Sequence, residues 1–150
     1  MAVTPQAVTD DDGSGTTGTV WNAAFQLAFE AAINAAIALT APLAPRVTGT
    51  TSSATPTPNA DTTDLYSLTA LALPAAFGTP TGTPVNGQPL LIRIKDNGTA
   101  RGLTWSGGYV AGGVALPATT VLSKIVTITL RYNTDNGLNK WQCVAVAQEA

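Results

Sequence analysis

The chain has 150 residues, a formal net charge of −2 and only 11% charged residues, against roughly 25% in an average soluble domain. It holds no histidine and one cysteine, which excludes a Ser-His-Asp triad, a His-ligated zinc site, imidazole acid–base chemistry and a disulfide framework within one chain. Its seven Lys and Arg are scattered, so there is no basic footprint for nucleic acid.

Leu, Ile, Val and Phe total 34 residues, just above the roughly 20% below which disorder is expected. One thin core is therefore affordable. Ala (25 residues) and Thr (24) raise the apolar count while burying little area each. A chain of this kind suits a subunit whose faces are covered by copies of itself. No Lys or Arg precedes Arg46, so a secretory signal with a basic leader is not expected.

Residues 1–18 read as an extended arm. The run from Asp10, Asp11 and Asp12 through Gly13, Thr16 and Gly18 is turn chemistry, in which Asp and Gly lower the cost of tight backbone. As a calcium loop it would need a bidentate acid at its twelfth position, where Trp21 stands. No metal site is assigned, and the arm is expected to dock onto a partner surface.

Residues 19–40 predict the helix. Ala favours helix intrinsically, Thr17 or Thr19 is placed to cap it, and Pro42 and Pro45 stop it. Asn22, Gln26, Glu30 and Asn34 recur every four residues as one narrow polar stripe. Trp21, Phe25, Phe29, Ile33 and Ile37 recur every four on the adjacent row, and alanines fill most of the rest. A helix apolar nearly all round must be buried nearly all round. A small β domain covers one side; the remainder is expected to pack on the same helix of neighbouring copies, the alternative being a central core helix of a monomer. The stretch Val20 to Leu39 has membrane length, but its polar residues make membrane insertion costly and unexpected.

Residues 41–46 read as a linker and 47–150 as an antiparallel β domain. Between 41 and 63 a Pro-, Thr- and Ser-rich stretch reads either as linker continued or as a Thr-rich edge strand from Val47 to Thr57. Leu65 to Leu73 is strand-like. In 89–95, Leu90, Ile92 and Ile94 alternate with Arg93 and Lys95. Asp96-Asn97-Gly98 predicts a tight hairpin turn with a return strand from Thr99 to Trp105. A long strand from Val121 to Tyr132 places Leu122, Val126, Ile128 and Leu130 on one face. After a turn over Asn133 to Asn139, the return Lys140 to Gln148 sets Trp141, Cys143, Ala145 and Ala147 against Val144 and Val146. The fold class is mainly β with one N-terminal α-helix: an antiparallel β-sandwich or barrel knob on a trimerising helix.

Three stretches carry a family resemblance. Asp11-Asp12-Gly13-Ser14-Gly15-Thr16-Thr17-Gly18-Thr19-Val20-Trp21-Asn22 resembles the N-terminal segment of small fibre and tail-associated proteins of tailed bacteriophages. Asn86-Gly87-Gln88-Pro89-Leu90-Leu91-Ile92-Arg93-Ile94-Lys95-Asp96-Asn97-Gly98-Thr99-Ala100-Arg101 is similar to a β-knob segment of phage tail, fibre and decoration proteins, as is the ending Lys140 to Glu149. The resemblance implies a virion structural protein made in the bacterial cytoplasm and a homotrimer. Its arm and helix would attach to other virion proteins of the capsid, collar or tail, and its β domain would face outward. It brings no catalytic residues and no cofactor. Cys143 has no histidine to act as its base, and no acid lies in an apolar stretch that would raise its pKa, so no enzyme is expected. The alternative function is a receptor-binding module for a host surface glycan, with Trp105 and Tyr109 as stacking platforms; the competing reading of Trp105, as of Trp141, is core packing at a strand end.

Overall fold

The computed structural model describes residues 23–40 and 44–150. The arm 1–18, Trp21 and the start of the linker lie outside the described residues. The chain divides into two units at residues 43 and 44. In the first, α1 spans Ala23–Thr40.

The second unit is all β apart from one 3-10 turn, Asp135–Gly137. Its strands are β1 (Val47–Thr50), β2 (Leu65–Leu71), β3 (Ala75–Phe77), β4 (Pro89–Asp96), β5 (Leu103–Trp105), β6 (Tyr109–Ala111), β7 (Ile125–Asn133) and β8 (Lys140–Gln148). Six of them form one sheet in the order β1-β2-β4-β7-β8-β6, while β3 and β5 form a second. The chain is thus mainly β with a helix in its N-terminal region.

Period-two alternation builds the core. Leu90, Ile92 and Ile94 of β4 are buried while Arg93 and Lys95 are exposed. Val126, Ile128 and Leu130 of β7 and Trp141 and Cys143 of β8 turn the same way. Across the sheet Tyr66, Ile92, Ile128 and Val146 stand in one row. Ala75, Phe77 and Leu103 of the small sheet join the same apolar cluster, so the two sheets share one core. Side chains that meet this way form the unit of sheet stabilisation.

Several expectations are corrected. The sheet is mixed, not antiparallel: β1–β2, β2–β4, β6–β8 and β3–β5 are parallel pairs, and only β4–β7 and β7–β8 are antiparallel. The return strand expected after Asp96-Asn97-Gly98 does not fold back on β4. Its last part, β5, pairs with β3. A two-residue type I′ hairpin needs positive φ at both central positions; only Gly98 (φ 92) has it here, not Asn97. The edge strand ends at Thr50, and the following chain lies beside β3, where Ala76 and Gly78 N–H groups donate to Ala54 and Pro56 carbonyls. Pro56 and Pro58 are buried there instead of lining an open edge. Leu122 precedes β7 and is exposed.

In β8 the alternation expected for Ala145 and Val146 is reversed. Thr129 faces Ala145 but Leu130 faces Cys143, leaving Val144 as an extra residue. This bulge shifts the inward side by one position, so Val146 packs on the core and Val144 is exposed.

Gly49 is fixed by close approach. It pairs with Ser67 at φ 152, and a Cβ there would sit 2.0 Å from the Ser67 carbonyl oxygen. Gly87 has positive φ but open space around it. Gly49→Ala should therefore lower stability by about 2 kcal/mol or more through overpacking, and Gly87→Ala by about 1 kcal/mol from backbone strain alone. Urea unfolding of the two variants checks the ranking.

Candidate interaction surfaces and polar sites

Helix α1 forms because its 18 residues are rich in Ala and hold neither Pro nor Gly. Side chains are described for residues 27–36, and all but the half-buried Glu30 are exposed in the single chain. Leu27 is 67% exposed, Phe29 50% and Ile33 41%. Of the residues expected to join copies, Phe29 and Ile33 thus present apolar surface. Phe25 and Ile37 lie within the helix, with side chains outside the description, and Trp21 precedes it. Asp10, Asp11, Asp12, Gly13, Thr16 and Gly18 are outside the described residues as well. No described helix is long and apolar enough to cross a membrane.

Trp105 and Tyr109 are brought together, but inside. The Trp105 ring stacks on Phe77 with centroids 4.4 Å apart and planes 13° from parallel, and Tyr109 meets its edge at 5.2 Å. The indole N–H donates to the Pro117 carbonyl at 2.8 Å. Tyr109 is 6% exposed and its hydroxyl has no partner. Burial, with Tyr66 nearby, pushes that hydroxyl's pKa up. One face of Trp105 is therefore occupied and Tyr109 offers no surface for a sugar to stack on. Tyr132 and Trp141 pack at 5.2 Å at the neighbouring strands.

Two polar sites escaped the sequence reading. The first sits where β1 begins. The Arg46 backbone N–H donates to Asp64 Oδ2 at 2.8 Å, its Nε to the same oxygen at 3.1 Å and its Nη2 to Oδ1 at 2.6 Å. Nη1 donates to the Asp61 carbonyl. In return Asp64 and Leu65 N–H groups donate to the Arg46 carbonyl. These hydrogen bonds from Arg46, side chain first and backbone second, hold the Asp64 carboxyl below its ordinary range.

The second is Asp96, the 2% exposed acid at the end of β4. Its Oδ1 accepts the Gly98 N–H at 3.0 Å and the Ser123 N–H at 2.9 Å, and its Oδ2 accepts the Thr120 hydroxyl at 2.8 Å. Thr120 Oγ1 in turn accepts the Arg101 N–H at 2.8 Å. Ser123, with φ 61, is one of few non-glycine residues in the left-handed region and is held there by this carboxylate. Burial pushes Asp96 up, but the Ser123, Thr120 and Gly98 hydrogen bonds and the Arg101 charge outweigh it, and the carboxyl ends below its ordinary range. The residues do structural work: they tie the end of β4 to the loops before β5 and β7.

Chemistry has little to work with among the described residues. No group of three or more His, Cys, Asp or Glu is placed to hold a metal, and Cys143 is buried, its thiol pushed up by burial. An open, mainly apolar depression of about 430 Å³ lies over β3 and β5, between Ala54, Ala76, Thr104 and Ala118. Comparison with protein-family models, curated proteins and solved structures gives no match.

A carboxylate whose folded pKa is depressed stabilises the fold above its unfolded pKa, and that stability is lost as the pH falls through the folded value. Asp96 and Asp64 should both weaken the β unit on acidification below the ordinary carboxylate range. Asp96→Asn replaces one acceptor oxygen by an amide that faces donors. It should cost about 2 kcal/mol at neutral pH and flatten the acid limb of stability, as read by urea unfolding at pH 7 and pH 3.

Proposed function

We propose that this chain is a non-enzymatic structural protein of a tailed-bacteriophage virion, forming a short homotrimeric fibre, spike or decoration. The arm, with Asp10 to Gly18, docks on other virion proteins. The helix residues Trp21, Phe25, Phe29, Ile33 and Ile37 hold the copies together. The β unit projects.

One observation carries the self-association. The described part of α1 leaves Leu27 67% exposed and Ile33 41% exposed in the single chain, whereas the β unit buries a core of its own. An isolated helix of this length is marginal in water, and one that is apolar on most faces needs a cover. The virion assignment is supported by the resemblance of the arm, the 86–101 segment and the C-terminal strand to phage fibre, tail and decoration proteins.

Sedimentation equilibrium of the purified chain should give three times the 15.2 kDa chain mass; a folded monomer across the micromolar range overturns the proposal. Ile33→Asp should shift the protein to monomer while the thermal unfolding of the β unit is unchanged. Antibody against the β unit should label intact phage particles and leave particles from which the chain is absent unlabelled; failure to label the intact particles overturns the virion assignment.

A further inference from the structure

The chain holds three Asn-Gly pairs, Asn86-Gly87, Asn97-Gly98 and Asn136-Gly137, all exposed to water. An asparagine in this position is open to attack by the backbone nitrogen that follows it, because glycine has no Cβ to shield that nitrogen. The attack has a structural condition. The Asn residue must rotate about its Cα–C bond until the glycine nitrogen reaches the side-chain carbon. Any hydrogen bond made by that N–H or by the side-chain amide has to be given up first.

Asn86 is held at several points. Its Nδ2 donates to Asp135 Oδ1 at 3.2 Å and its Oδ1 accepts the Thr134 N–H at 3.1 Å. The Gly87 N–H donates to the Tyr132 carbonyl at 2.8 Å, and the Gly87 carbonyl accepts from Arg131 Nη1 at 2.9 Å. Turning this amide breaks contacts to β7.

Asn97 and Asn136 both stand in the local sequence Asp-Asn-Gly, so their immediate neighbours rank them alike. Their surroundings do not. The Gly98 N–H is bound at 3.0 Å by the buried Asp96 carboxylate, which also holds Ser123 and Thr120. Asn97 Oδ1 accepts from Arg101 Nη2 at 3.1 Å. At the other site Asp135 is exposed, and its Oδ1 accepts from Asn86. The Gly137 N–H donates only locally, to the Thr134 carbonyl at 3.1 Å within one 3-10 turn. No hydrogen bond holds the Asn136 side chain among the described residues. Asn136 also sits at φ 54 and ψ 27, left-handed backbone that costs an L residue energy. Opening a short exposed turn costs less than opening a network tied to the core, and here it relieves that strain.

We infer that Asn136 is a site of spontaneous deamidation in the folded protein, and that the fold shields Asn97 and Asn86 from the same reaction. The Gly137 nitrogen gives its proton to hydroxide and its lone pair bonds to Asn136 Cγ. The Cγ–Nδ2 bond breaks, and the nitrogen leaves as ammonia after taking a proton from water. Water then adds to one carbonyl of the cyclic imide and the ring C–N bond breaks. The sum is amide plus water giving carboxylate plus ammonium, with no oxidant or reductant. One direction of opening leaves an aspartate at the position. The other leaves an isoaspartate, with an extra methylene in the main chain of the turn that joins β7 to β8. Both add negative charge beside Asp135.

The full chain is incubated in warm, mildly alkaline buffer, folded in one arm and unfolded by guanidinium chloride in the other. Peptide mapping by mass spectrometry follows the three pairs in time. In the folded arm Asn136 should convert at least about tenfold faster than Asn97 and Asn86, the difference being the cost of opening. In the unfolded arm Asn97 and Asn136 should convert at closely similar rates, because their local sequences match. The inference is overturned if Asn97 or Asn86 leads in the folded arm, if the ratio of Asn136 to Asn97 is the same in both arms, or if Asn136 converts only when the chain is unfolded.

Discussion

Ile92 and Ile128 stand face to face between Tyr66 and Val146, fully withdrawn from water. The rest of the β unit depends on that row and the two beside it, Leu68–Ile94–Val126 and Leu90–Leu130–Cys143. Burial of apolar area is the main favourable term in folding, and a side chain of this size contributes about 2 kcal/mol when fully buried. Phe77 and Leu103 close the rows from the second sheet. Because the inner face is satisfied this way, the loops at the ends of the strands are free to carry polar work. Arg46 with Asp64 holds one loop region, and Asp96 with Thr120 and Ser123 another.

The same reasoning divides the chain by purpose. The β unit has an internal solution to its apolar surface. In the described part of α1, Leu27 is 67% exposed, Phe29 50% and Ile33 41%. Aromatic side chains follow the same division. Trp105, Tyr109, Tyr132 and Trp141 pack on one another or on Phe77 and so serve the fold.

Much of this was legible in the residues. The alternation in Leu90–Lys95 and the pairing of β7 with β8 follow from period two and a Gly-containing turn, both local signals. The exposure of Leu27 and Ile33 follows from the breadth of the helix's apolar surface. What failed to show were pairings set by distant parts of the chain. Alternation says which way a side chain points but is silent on whether its neighbour runs parallel, so β2 beside β4 was invisible. Asp96-Asn97-Gly98 has the composition of a hairpin turn, but its acid is claimed by Thr120 and Ser123, both remote in sequence. Arg46 and Asp64 are eighteen residues apart, with no periodic pattern to link them. The inversion at Val144 comes from an extra residue that only its partner strand reveals.

The mixed topology has a temporal side. Of the strand pairs among the described residues, only β7 with β8 joins segments that follow one another through a short turn; the others close longer loops first. Closing such loops costs chain entropy before any contact rewards it, and folding slows accordingly. During synthesis α1 leaves the ribosome well before β8 delivers Trp141 and Cys143 to the centre of the sheet. The sheet therefore stays open along β7, its apolar row uncovered, until that last strand arrives, so the order of manufacture delays its completion.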